Sequence, residues 1–212
     1  MDLGSERREY SGARLLEAET PNEPFALFNA WLNTALEARV LDATAMTLAT
    51  VSTEGRPSTR MVLLKGHDRD GLVFFTRYST QKCKDLEANP RGALLFHWRE
   101  FDRQVRAEGL VERISVEASR AYFATRPRAS QLAARAASGQ NHIASADALE
   151  RLFEAEAARW ENQRVPMPDD WGGFRLSPGS FEFWQGRPSR LHDRLTYALE
   201  ASGTWLKQRL AP

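Results

Sequence analysis

Between Ala45 and Ile114 short apolar runs alternate with glycine-containing turns, and that rhythm leaves few folds open. Ala45 to Val51 is strand-like, and Thr53-Glu54-Gly55-Arg56-Pro57 after it is turn chemistry. Ser58 to Lys65 returns as a strand rich in Val and Leu, His67-Asp68-Arg69-Asp70-Gly71 makes the next turn, and Leu72 to Thr76 is a third strand. Connections this short make antiparallel hairpins rather than parallel crossovers. Gln81 to Ala88 reads as a short helix halted before Pro90. Gly92 to Trp98 and Arg103 to Ile114 supply two further strands. A small antiparallel barrel is the economical way to leave no free sheet edge.

Helices flank this barrel. Pro24 suits a helix's first turn, and Phe25, Phe28, Trp31, Leu32, Ala35 and Leu36 recur as one apolar face. Ser115 opens a second helix, broken at Arg126-Pro127-Arg128; Ser130–Ala137 and Ser145–Asn162 are two more. Trp171-Gly172-Gly173 reads as a tight turn, followed by strands at 173–176, 180–185, 190–198 and 204–209. The expectation is an α+β chain, mainly β, with one domain over 25–212 and a polar, mobile arm over 1–24.

Composition narrows the function. Of 212 residues 42% are apolar and 27% charged, which suits a globular protein. A net charge of +1 gives no general attraction to nucleic acid or an anionic membrane, so any anion site must be a local gathering of Arg and Lys. No apolar signal region opens the chain, and no window approaches the ~18 apolar residues of a membrane span. The one cysteine, Cys83, precludes an intramolecular disulfide and a thiolate zinc cluster, and a reducing cytoplasm is expected. Its Lys-rich helix start is a setting that can lower a thiol pKa. The four histidines are scattered, so no metal site is expected. Glycine-rich nucleotide loops and the Gly-x-Ser-x-Gly elbow are missing.

Chemistry therefore falls to basic and polar residues. Arg60-Met61-Val62-Leu63-Leu64-Lys65 places a cation at each end of an apolar strand. Gln81-Lys82 opens a helix, where free N–H groups favour an anion. Tyr122, Arg126 and Ser130 follow at i, i+4, i+8 and share a face if the helix survives Pro127; phenol, guanidinium and hydroxyl suit one phosphate. Arg190-Leu191-His192-Asp193-Arg194, if extended, turns Arg190, His192 and Arg194 to one side. Such a face is a poor core and a good seat for a flat anion, though a solvated edge strand would look the same. The groups together point to two phosphorylated ligands.

The motifs Arg7-Arg8-Glu9-Tyr10, Arg60 to Lys65, Phe75-Thr76, Arg103-Gln104-Val105, Arg126 to Ser130, Trp171 to Phe174, Phe183-Trp184-Gln185-Gly186, Arg190 to Arg194 and Arg209-Leu210-Ala211-Pro212 stand in an order that closely resembles the pyridoxine/pyridoxamine 5′-phosphate oxidase family. The resemblance covers almost the whole chain. It implies an FMN-binding split β-barrel, an antiparallel Greek-key barrel with flanking helices, that forms a homodimer with FMN between subunits. By position, Arg60, Met61, Val62, Leu63, Leu64, Lys65, Phe75, Thr76, Gln81, Lys82 and Gln104 of one chain would hold FMN, with Gln140, Asn141, Trp184 and Arg194 of the other. The substrate phosphate would meet Lys65, Tyr122, Arg126 and Ser130. Arg190, Leu191 and His192 would lie over the substrate ring, under a lid of Arg7, Arg8, Glu9 and Tyr10, with Asp42 near the reacting amine. The implied catalytic residues are thus Arg7, Tyr10, Asp42, Arg190 and His192.

What the resemblance implies chemically is hydride transfer from C4′ of pyridoxamine or pyridoxine 5′-phosphate to the flavin, with O2 reoxidising it. The chain departs from the family pattern at Gln81, Ala133-Ala134-Arg135 and Asn141, all near expected flavin contacts. A flavin oxidase of phenazine biosynthesis and a non-catalytic flavin- or haem-binding split barrel are the rival readings. His192 is the proton-handling candidate, as a base or as an orienting donor.

Overall fold

The structure is a computed structural model describing residues 1, 3–5 and 8–212. Its spine is one strand, β7 (Trp171–Gln185), where the sequence predicts a turn and two separate strands. The run Ser177-Pro178-Gly179 bends without leaving the ladder: the register slips between Glu108 and Gly109, opposite Pro178. A Cβ on Gly109 would fall 2.0 Å from the Ser177 carbonyl oxygen, so only glycine lets the strands pass this closely.

The bend is where the sheet divides. On one side β7 keeps β6 (Arg103–Arg113) throughout. On the other side, residues 171–176 pair with β4 (Gly71–Arg77), whereas 180–185 pair with β8 (Asp193–Leu199). The remaining strands are β1 (Ala45–Val51), β2 (Pro57–Leu63), β3 (Gly66–Asp68), β5 (Arg91–Trp98) and β9 (Trp205–Leu210), giving an antiparallel order β2-β1-β5-β6-β7-β4-β3 with β8 and β9 branching from β7. Because β4 lies beside β7 rather than β5, the set β4-β7-β6-β5 is a Greek key. The Lys65 N–H donates to the Val73 carbonyl (2.8 Å) and draws the end of β2 towards β4.

Inward alternation supplies the core: Met46 and Leu48, Leu94 and Phe96, Val105 and Ala107, Phe181 and Phe183, Leu195 and Tyr197 are all buried. The helix α1 (Pro24–Glu37) plugs it with Phe28, whose ring lies 5.1 Å from Phe96, and Trp31, 5.4 Å from Phe183. Leu36, predicted on the apolar face, is exposed. Four more helices follow among the described residues: α2 (Gln81–Ala88), α3 (Val116–Thr125), α4 (Arg128–Ala136) and α5 (Ala146–Arg159). Ser115 and Ser145 cap α3 and α5 by accepting the Ala118 and Ala148 N–H groups. No helix among the described residues is long and apolar enough to cross a membrane.

Two expectations change at the ends of the chain. Arg190 to Arg194 is not one extended run: Pro188–Arg190 is a single helical turn with φ of 57° at Ser189 and 61° at Arg190, and β8 begins only at Asp193. The cause is Asp193, which is buried and accepts from the Leu15 N–H (2.9 Å), Arg187 (2.9 Å) and Arg209 (2.6 Å). The segment predicted as a mobile arm is docked on the barrel from Arg8 to Thr20. Leu15 is buried, the Ser11 N–H donates to Asp102 (3.1 Å), and Lys207 donates to the Glu17 carbonyl (2.8 Å). Arg209 also grips Glu17 and holds its carboxyl at about 2.

Burial raises the Asp193 pKa, but the Leu15, Arg187 and Arg209 bonds outweigh it, so the carboxyl sits below its ordinary value. A depressed folded value stabilises above the unfolded pKa and is lost as pH falls through the folded one. Asp193→Ala is expected to lose about 3 kcal/mol in urea unfolding at pH 7. The gap to wild type should shrink below roughly pH 4 as the wild-type carboxyl protonates.

Candidate functional site

A cavity of about 880 Å³ opens between β2, β4, the start of α2 and the α3–α4 junction. Arg60, Met61, Val62, Leu63, Lys65, Phe75, Thr76, Lys82, Tyr122, Arg126 and Ser130 line it, so most of the predicted cofactor and phosphate residues meet in one place. Tyr122, Arg126 and Ser130 do not share one helix, as the i, i+4, i+8 spacing suggested. Arg126 ends α3 with extended backbone, Pro127 precedes α4, and the break brings all three to the same wall. Trp171, Thr125 and Pro127 complete the lining and went unpredicted as site residues. For Trp171 a signal existed, an aromatic ahead of two glycines in a strand: the rings of Tyr122, Phe75 and Trp171 stack, Phe75 lying 3.9 Å from Tyr122 and 5.4 Å from Trp171. A Cβ on Gly173 would fall 2.8 Å from Phe75, so the glycine makes room for that stack.

The cations of the cavity are held without carboxylates. Arg60 donates to Thr50 Oγ1 (2.8 Å), to the Leu48 and Ser58 carbonyls and to the Ser58 hydroxyl. Thr50 in turn donates to the buried Asp85 (2.7 Å), one hydroxyl removed from the guanidinium. Among the described residues Lys82 Nζ reaches only Thr80 Oγ1 (3.1 Å) and Thr76 Oγ1 (3.3 Å). Burial lowers the pKa of Arg60, Lys82 and Arg126, with Asp85 partly offsetting it for Arg60. Arg126 lies 4.9 Å from the Trp171 ring, and its Nη1 is buried with no hydrogen-bond partner. Among the described residues none of Arg60, Lys65, Lys82 and Arg126 pairs with a carboxylate. A buried donor with no acceptor among the described residues, beside three further cations and the hydroxyls of Thr76, Tyr122, Thr125 and Ser130, fits phosphate.

Other predicted residues lie elsewhere. Leu64 is buried in the core and offers the cavity no side chain. The Gln81 amide is engaged by Asp85 (2.8 Å). Gln104 pairs with His97 and Trp184 in the β5-β6-β7 ladder. The Gln140 carbonyl accepts from Arg77 (2.8 Å) in the loop after α4, beside the exposed Asn141. Asp42 is exposed in the turn before β1, with φ of 53°, and does not line the cavity. Arg7 lies outside the described residues. Cys83 is buried and burial pushes its thiol up, so its Lys-rich setting does not activate it.

A second cluster forms where the arm docks. The Tyr10 ring stands edge-on to Trp184 (5.5 Å) and His192 (5.0 Å), and the Arg190 guanidinium lies 5.4 Å from it. Arg8 pairs with Asp102 (2.6 Å), while Glu9 and Leu191 are exposed. Arg194, the ladder partner of Trp184, is held by Glu182 (2.8 Å), which raises its pKa. Neither Arg190 nor His192 lines the cavity of the same chain.

Comparison with known proteins assigns both regions. A family model described as pyridoxamine 5′-phosphate oxidase matches residues 32–164. The chain belongs to the pyridoxamine 5′-phosphate oxidase family. A second family model, described as the C-terminal dimerisation region of pyridoxine 5′-phosphate oxidase, matches residues 171–212. The pyridoxine/pyridoxamine 5′-phosphate oxidase of Rubrobacter xylanophilus is 50% identical over 211 residues, covering 100% of this chain and 97% of that protein. The protein of the same name from Microcystis aeruginosa is 49% identical, covering 97% and 96%. Among solved structures, PhzG from Burkholderia lata 383, in complex with tetrahydrophenazine-1-carboxylic acid, aligns with a TM-score of 0.88 at 27% identity over 95% of this chain and 100% of that one. A pyridoxamine 5′-phosphate oxidase-related, FMN-binding protein from Nostoc punctiforme, 18% identical with a TM-score of 0.71 over 94% and 100%, shares the fold. The split barrel is therefore the fold of this family member. Apart from Trp171, the cavity lies in the oxidase match, whereas Trp184, Arg190 and His192 lie in the dimerisation match.

A binding site that keeps a buried donor unpartnered is less stable empty than it could be. Arg126→Met is expected to raise the unfolding free energy of the ligand-free protein by roughly 1 kcal/mol. Inorganic phosphate should raise the melting temperature of the wild type more than that of the variant, which keeps Arg60, Lys65 and Lys82 in the cavity.

Proposed function

We propose that this family member is an FMN-dependent oxidase that converts pyridoxamine 5′-phosphate and pyridoxine 5′-phosphate to pyridoxal 5′-phosphate, working as a homodimer in the cytoplasm. The observation that carries the reading is the cavity whose cations lack carboxylate partners and whose Arg126 Nη1 is buried without an acceptor. The names of relatives about half identical over their full length support it.

The residues present suit two phosphorylated ligands. Arg60 and Lys82, with Thr76, would hold the FMN phosphate; Lys65, Arg126, Ser130 and the Tyr122 phenol would hold the substrate's. When bound, FMN supplies the hydride acceptor, regenerated by O2. The chain supplies position and charge. The apolar outer face of β2, with Met61 62% exposed and Leu63 42% exposed, borders the cavity and is where a second copy would dock. That copy would bring Arg190, His192, Trp184 and the docked Tyr10 over the substrate ring, with the arm as lid. Arg190 makes no ion pair among the described residues, so its planar cation is free to lie against a flat, electron-rich ring. Fixing the ring in this way lowers an entropic barrier.

The likeness to PhzG supports a second reading, oxidation of a tricyclic carboxylate, but at 27% identity against 50% for the vitamer oxidase it is the weaker one. The purified protein should bind FMN, sediment as a dimer and consume O2 with pyridoxamine 5′-phosphate. Arg190→Ala should lower kcat roughly 100-fold while FMN is retained. Arg60→Ala should weaken FMN binding about tenfold or more. A chain that binds FMN yet oxidises neither vitamer, or an active monomer, would overturn the reading.

A further inference from the structure

In the loop between β7 and β8 a hydrogen bond joins backbone to imidazole: the Arg187 backbone N–H meets Nδ1 of His192 at 3.1 Å. A backbone amide can only donate, so Nδ1 must present its lone pair, and the ring proton of a neutral imidazole then sits on Nε2. The loop is pinned on either side of this bond. The Arg187 guanidinium pairs with Asp193 (2.9 Å), the residue next to His192, and Asp193 is fixed by Arg209 and the Leu15 N–H. The turn between them is closed by the Leu191 N–H on the Pro188 carbonyl (3.2 Å). The imidazole is also gripped on its faces, with Trp184 at 4.7 Å and Tyr10 edge-on at 5.0 Å.

We infer that His192 is a fixed Nε2–H hydrogen-bond donor, set by the Arg187 amide, and not a proton acceptor. Taking up a proton at Nδ1 would set two N–H groups against each other across 3.1 Å, and Nε2 has no lone pair to offer. The surrounding charges act in the same sense. Burial and the Arg190 guanidinium disfavour an imidazolium, and the opposing carboxylate, Asp102, is already paired with Arg8. Arg187 and Asp193, the remaining charges on the loop, neutralise each other. A donor in this place orients an electron-rich oxygen or nitrogen of the substrate; the proton that substrate oxidation releases leaves by another route. The use of the donor in turnover rests on the proposed oxidase activity, whereas the tautomer does not.

The tautomer is read directly from the imidazole ¹⁵N shifts of the full-length protein, with His192 assigned by its loss in His192→Gln. The expected spectrum shows an unprotonated Nδ1 and a protonated Nε2, unchanged from pH 6 to pH 8. A proton on Nδ1, or an imidazolium forming in that range, overturns the inference whatever the oxidase assay gives. In turnover, His192→Gln keeps an amide N–H near the position of Nε2–H and should retain kcat within about tenfold, while His192→Leu should lose roughly 100-fold. If Gln is as poor as Leu, and the wild-type rate rises with an ionisation near neutrality that both variants lack, His192 is a base and the proposal fails.

Discussion

The molecule depends on β7 changing partners without breaking. Through its first six residues it pairs with β4, and after the Ser177-Pro178-Gly179 bend it pairs with β8, while β6 follows it on the far side. Pro178 donates no hydrogen bond and Gly109 offers no side chain, so the ladder can slip by one position here at little cost. Everything chemical hangs from the two halves. The first half carries Trp171 and the glycines that admit the aromatic stack of the cavity; the second ends at Trp184 and leads into the loop of Arg190 and His192. One strand thus holds the two sets of functional residues at a fixed separation along its length.

That separation explains why a single chain presents a cation-lined hollow and, apart from it, an aromatic cluster around the docked arm. The cavity gathers charge that no carboxylate among the described residues neutralises directly. The other cluster gathers aromatic and imidazole surface around the docked arm, beside the Arg190 guanidinium, which makes no ion pair among the described residues. A family match named for dimerisation over 171–212 falls on the second cluster, so the region that carries Arg190 and His192 is the region assigned to subunit contact. Under the proposed function the active centre exists only once two chains meet.

Much of this was legible in the sequence. The strands β1, β2, β4 and β5 and the helix Gln81–Ala88 emerged from turn chemistry and periodicity within a residue or two, because short hairpins are specified locally, whereas the three-residue β3 (Gly66–Asp68) formed where a turn was expected. The gathering of Arg60, Lys65, Lys82 and Arg126 also came through, carried by the resemblance and by cations at element ends. What failed was non-local. A Pro and three glycines read as punctuation at 171–179, but β6 and β4 hold that segment in the ladder regardless. The alternation expected from Arg190 to Arg194 gave way to the bonds Asp193 makes with Leu15, far away in sequence, and Arg209, on the neighbouring strand. The same bonds dock the arm, whose polar composition alone suggested a free tail.

Charge pairing sorts the arginines in a way that composition cannot. Arg194 and Arg106 share Glu182, Arg187 and Arg209 share Asp193, and Arg8 holds Asp102; these guanidiniums bind parts of the chain to each other. Among the described residues Arg60, Arg126 and Arg190 meet only hydroxyls, carbonyls or aromatic rings, so their charge remains available to something outside these contacts. The sequence shows one Arg-rich pattern throughout, and the resemblance assigns Arg194 to the cofactor along with Arg60. A guanidinium already committed to a buried carboxylate would have to give up that pair to bind an anion, leaving the carboxylate uncompensated at a cost of about 3 kcal/mol or more. An arginine with no such partner faces no such loss, and for that reason the proposed function rests on the cavity cations and Arg190.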